Sequence, residues 1–140
     1  MFPIDELEPR RVGAVMRADA PVVSPEDTLG EVAEKMSDLD IGSALVAEYG
    51  RLVGIITSRD LLRALAGRVH SSEARVRQWM TVDPVVVGQT ETLEVATELL
   101  REHGFHHLPV VDGERPVGMI GLRDVAHSDA GFAIGIGLGL

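Results

Sequence analysis

The chain repeats itself. Displaced by 64 positions, VGIITSRD at 53–60 falls on VGMIGLRD at 117–124. The same displacement, with no gap, lays Met16 on Met80, Asp19 on Asp83, Val22 and Val23 on Val86 and Val87, Thr28 and Leu29 on Thr92 and Leu93, Val46 on Val110, and Arg51 on Arg115. A constant offset over such a span marks a duplicated supersecondary unit, and duplication constrains the architecture before any propensity does. The repeats run over 11–66 and 75–128. An N-terminal segment, 1–10, precedes them, the polar linker 67–74 joins them, and a Gly-rich apolar tail, 129–140, follows.

Each copy reads the same way. A short β-branched run (Val22-Val23; Val85-Val86-Val87) predicts a strand, and Thr28 or Thr92 then caps a helix. Leu29, Val32, Ala33 and Met36 recur at helical spacing in the first copy, as Leu93, Ala96, Leu99 and Leu100 nearly do in the second. Two apolar strands follow around the turns EYGR and DGER, and a second helix starts at Ser58 or Leu122. The predicted class is α+β, with the order β-α-β-β-α occurring twice. One such unit buries too little surface to be comfortable alone. Two units packed sheet to sheet with pseudo-two-fold symmetry would share a core. They would also leave clefts at the repeat interface, where small ligands usually bind.

Composition narrows the chemistry. With no cysteine, disulfides, thiolate zinc sites and cysteine nucleophiles are excluded. A formal charge of −9 disfavours nucleic acid as a partner, because such affinity comes largely from neutralised phosphates. Lys35 is the only lysine, which leaves lysine-nucleophile chemistry one candidate on a solvent-type helix face. No charged segment leads into an apolar run at the N-terminus, and the longest apolar run falls short of the ~20 residues of a membrane span. The expectation is a soluble cytoplasmic protein without membrane insertion.

The duplicated unit resembles the CBS domain, and the tandem resembles a Bateman module. Its carriers are GIITSRD, GMIGLRD, HHLPVVDG, the Thr-Leu helix starts and the repeat itself. The resemblance implies a regulatory module without catalytic activity or a required cofactor. Such a module binds an adenosyl ligand: AMP, ADP or ATP, less commonly S-adenosylmethionine or NAD. It also implies flat homodimers and an unidentified regulated protein partner.

Thr57 and Asp60 admit two readings. As a capping box, the Thr hydroxyl accepts from the N3 amide while the carboxylate reaches back to the Thr N–H. As a ligand site, the carboxylate accepts ribose hydroxyls and the helix start faces a phosphate. The second copy keeps Asp124 and has Gly121 in place of the hydroxyl, so the sequence predicts stronger binding by the first. The resemblance extends the ligand set to Ser58, Arg59 and Arg123 in the first helical turns, and to His106 and His107 before LPV. It also includes Val22, Val23, Val86 and Val87 as the apolar wall for an adenine. His103, His106 and His107 match no zinc spacing, and a strand would put the last two on opposite faces. Trp79 reads as a packing residue. The rival function is a ligand-free dimerisation or scaffold module. The predicted dimer contact comprises Leu61, Leu62, Leu65, Val125, Met16 and Met80, with the tail 131–140 extended against the module.

Overall fold

Residues 10–128 are described in the computed structural model, so the segment 1–9 and the tail 129–140 lie outside the described residues. The elements in chain order are α1 (Val12–Val15), β1 (Val22–Val23), α2 (Leu29–Leu39), β2 (Ser43–Glu48), β3 (Arg51–Thr57) and α3 (Ser58–Ala66). Then come α4 (Val76–Trp79), β4 (Thr81–Val82), β5 (Val87–Gly88), α5 (Leu93–His103), β6 (His107–Asp112), β7 (Arg115–Gly121) and α6 (Leu122–Ala126). The class is α+β, with one sheet ordered β1-β2-β3-β4 and another ordered β5-β6-β7.

The predicted caps form. Thr28 Oγ1 accepts from the Glu31 N–H at 3.2 Å, and Thr92 Oγ1 from the Val95 N–H at 3.3 Å. Each leaves an amphipathic helix with one buried stripe: Leu29, Val32 and Met36 in α2, and Leu93, Ala96, Thr97 and Leu100 in α5. Ala33, predicted in the stripe, is exposed, and Leu99 is half-buried. Two-residue turns close the hairpins. Tyr49 and Gly50, at φ 55° and 78°, have the positive angles that match the twist of the flanking strands.

The predicted strand Val85–Val87 is shorter than expected, for a chemical reason. In the first copy, Val22 pairs with Leu45, whose N–H donates to the Pro21 carbonyl at 2.9 Å. The residue matching Leu45 is Pro109, which has no N–H to donate. Pairing there begins one step later, with Val87 against Val110.

The packing units and the sequence repeats are cut at different places. One unit, called here the GMIGLRD unit, comprises 10–18, 86–113 and 117–128 among the described residues. The other, the GIITSRD unit, comprises 19–85 and 114–116. Each repeat's lead-in segment therefore folds into the unit built on the other repeat. Val12 N–H donates to the Glu91 carbonyl at 2.8 Å, and Arg17 and Met119 exchange backbone hydrogen bonds of 2.7 and 3.0 Å. In the GIITSRD unit, Val76 N–H donates to the Asp27 carbonyl at 2.9 Å, and β4 pairs antiparallel with β3 through Gly54–Val82 and Ile55–Thr81.

The core of the GIITSRD unit joins Val23, Leu29, Val32, Met36, Ala44, Val46, Ile56, Ala64, Ala74 and Val76. Leu61, Trp79 and Met80 pack against it. The GMIGLRD unit buries Val12, Val87, Leu108, Val110, Ile120 and Val125. The predicted dimer contact is corrected accordingly: Val125 and Leu61 serve their own cores, whereas Leu62 and Leu65 are exposed. No helix among the described residues is long and apolar enough to cross a membrane.

Candidate functional site

At the junction of β3 and α3 the capping box is present. Thr57 N–H donates to Asp60 Oδ2 at 2.8 Å, the Thr57 hydroxyl contacts the same oxygen at 3.1 Å, and the Asp60 N–H returns to Thr57 Oγ1 at 3.3 Å. Asp60 is 3% exposed. Its other oxygen, Oδ1, accepts from the Arg63 guanidinium one turn along the helix. Both oxygens of this carboxylate are thus engaged by its own chain. Ser58 and Arg59 are exposed on the first turn. Beside them, Ser43 pairs with Thr57 across β2 and β3, and β1 places Val22 half-exposed and Val23 buried on the same sheet.

The second copy builds the same junction from different side chains. Gly121 N–H donates to Asp124 Oδ2 at 2.7 Å, and no described residue hydrogen-bonds Oδ1. Asp124 is half-buried. A methyl group on Gly121 would come within 2.6 Å of the His106 carbonyl oxygen and 3.0 Å of the His107 ring. The His106 carbonyl and the His107 ring together close the space at 121, where the GIITSRD unit sets Ser43 beside Thr57. The sequence showed only a missing hydroxyl.

His107 opens β6 with its imidazole against Gly121. Desolvation lowers its pKa from the ordinary 6.5, Asp124 opposes this by raising it, and His106 and Arg17 add to the lowering. In the unfolded chain the ring keeps its ordinary proton affinity. Below 6.5, down to the lowered value, the unfolded state therefore binds more protons, and stability falls as pH falls. His107→Gln should flatten this slope in melting temperatures compared at about pH 7.5 and 5.5, a range in which an unperturbed histidine also titrates. An unchanged slope would remove His107 as its source.

Arg10, Ala14, Val15, Asp124, His127 and Ser128 line a cavity of about 350 Å³ within the GMIGLRD unit. Arg10 and His127 were not singled out from sequence. The signal for His127 is that the 64-residue displacement lays Arg63 on it. Arg123 is exposed on the same helix, Val86 is 38% exposed beside the β5 start, and Val87 is buried. His106 is exposed, and His103 stacks on Phe105 with ring centroids 5.1 Å apart. Among the described residues no group of three or more His, Asp or Glu could hold a metal ion.

The family model of the CBS domain matches residues 12–67 and 76–131. A 17.7 kDa protein of Acidianus ambivalens is 34% identical over 122 residues, covering 84% of this chain and 72% of its own length. The CBS domain-containing protein YhcV of Bacillus subtilis is 31% identical over 111 residues, covering 79% of each. Among solved structures, a CBS domain protein from Pyrobaculum aerophilum complexed with AMP superposes with a TM-score of 0.80 at 25% identity. That match covers 89% of this chain and 96% of the other.

Proposed function

This chain belongs to the CBS domain family, and we propose that it acts as a regulatory module that binds an adenine nucleotide or another adenosyl ligand. The observation that carries the reading is Asp124. It is a half-buried carboxylate, fixed at one oxygen by the Gly121 N–H and unengaged by described residues at the other, on the wall of a cavity shared with Arg10 and His127. A carboxylate so placed accepts ribose hydroxyls in charge-assisted bonds, and the neighbouring Arg10 guanidinium suits a phosphate. The AMP complex of the Pyrobaculum relative supports the ligand class. Regulation, in this reading, is a change in shape or partner docking on binding, without chemistry on the ligand. Self-association through the exposed Leu62 and Leu65 of α3 forms part of the proposal.

A thermal-shift screen with AMP, ADP, ATP, S-adenosylmethionine and NAD tests it. A ligand at 100 times its Kd adds ~2.7 kcal/mol of stability. Light scattering on the same samples reads the mass. A melting temperature indifferent to all five ligands would leave the scaffold reading, which the internally satisfied Thr57–Asp60–Arg63 cluster favours for its own unit.

A further inference from the structure

We propose that Arg63 is a built-in competitor for the ribose carboxylate of the GIITSRD unit, and that the residue three positions after each such carboxylate sets that unit's affinity. The inference rests on the adenosyl-binding reading and deepens it. Asp60 is buried, and its two oxygens are divided between Thr57 and Arg63. A ribose hydroxyl that bonds Oδ1 would have to share it with the guanidinium or displace it. Arg63 itself remains 63% exposed, so it is tethered at its tip and can swing into solvent. At the matching place in the GMIGLRD unit stands His127, and Asp124 Oδ1 has no hydrogen-bond partner among the described residues. Two carboxylates at equivalent positions therefore differ in availability because of one neighbouring side chain.

Arginine suits this role. Its charge is permanent and its planar fork reaches back one turn to the carboxylate, whereas His127 makes no hydrogen bond to Asp124. Because Arg63 is largely exposed, water screens the pair. The competition should then amount to a factor of about two to five in affinity, the range of exposed ion pairs.

Calorimetric titration with ATP and with AMP tests this in an Asp124→Asn background, where residual binding reports the GIITSRD unit. Adding Arg63→Gln should tighten that binding about two- to fivefold. Arg63→Lys, which keeps the charge, should stay near the background. In the otherwise native chain, His127→Arg should weaken binding by a similar factor, and added salt should erase the difference. If Arg63 only steadies its helix, Arg63→Gln lowers the melting temperature and leaves affinity unchanged, and the proposal is overturned. Failure of the native chain to bind any of the five ligands of the thermal-shift screen would instead overturn the reading beneath it.

Discussion

Gly54→Ala and Gly118→Ala should each destabilise the protein by about 1–3 kcal/mol, the cost of forcing a methyl group into a closed space. Alanine in place of glycine ordinarily stabilises a strand by ~0.4–1 kcal/mol where the space is open, so the sign is itself a test. Here the space is closed by the lead-in segments. A methyl group on Gly54 would meet the Thr81 carbonyl oxygen at 2.7 Å and Met80 Sδ at 2.9 Å. On Gly118 it would meet Met16 Sδ at 2.7 Å and the Arg17 carbonyl oxygen at 2.9 Å. The nearest obstacle to Gly54 is backbone, so Met80→Ala should not rescue Gly54→Ala. The nearest obstacle to Gly118 is a flexible thioether, so Met16→Ala should partly rescue Gly118→Ala. Urea midpoints for the two singles and two doubles decide the matter. Single variants within 0.5 kcal/mol of the parent, the usual spread for uneventful surface substitutions, would remove the close packing as a cause.

The same four residues mark the limit of what the sequence discloses. The 64-residue displacement aligns Met16 with Met80 and Gly54 with Gly118, so the repeat, its hairpins and its helix caps are legible. The partner of each methionine is not, because both copies offer the same groove and the alignment is indifferent to which one is filled. Only the fold shows each lead-in seated on the other copy's strand. Pro109 is different: its missing N–H was in plain view and accounts for the late start of β5. The sequence places Val125 at a dimer contact because the apolar residues of these helices and lead-in segments exceed what one small core covers, but α6 has only five residues and its one buried side chain is needed by its own unit. At the site, the Thr57–Asp60 spacing disclosed the cap and left its use open. What surrounds that carboxylate depends on side chains one helical turn or one strand away, Arg63 and His107, whose reach no linear spacing records.

Those neighbours lead to a sharper expectation for the two carboxylates. Asp60→Ala should act mainly on stability and Asp124→Ala mainly on ligand affinity. Asp60 is buried and closes the α3 capping box, so its loss leaves the Thr57 N–H without its acceptor and costs ~1–2 kcal/mol. Arg63, being largely exposed, is rehydrated without much penalty when its partner is removed. Asp124 is only half-buried and caps with one hydrogen bond, so the fold should tolerate Asp124→Ala better. Asp124 lines the cavity with its second oxygen unbonded by described residues, and each charge-assisted hydrogen bond to a ribose is worth ~1.5–3 kcal/mol, about one to two decades in Kd. This reverses the order that the hydroxyl pattern alone predicts, in which Thr57 marks the first copy as the stronger site. Melting curves and calorimetric titration with ATP and AMP, run on both variants, separate the two orders. Loss of binding in a well-folded Asp60→Ala protein, with Asp124→Ala binding as the parent does, would return the principal site to the first copy. It would also mean that Arg63 yields to the ligand at little cost.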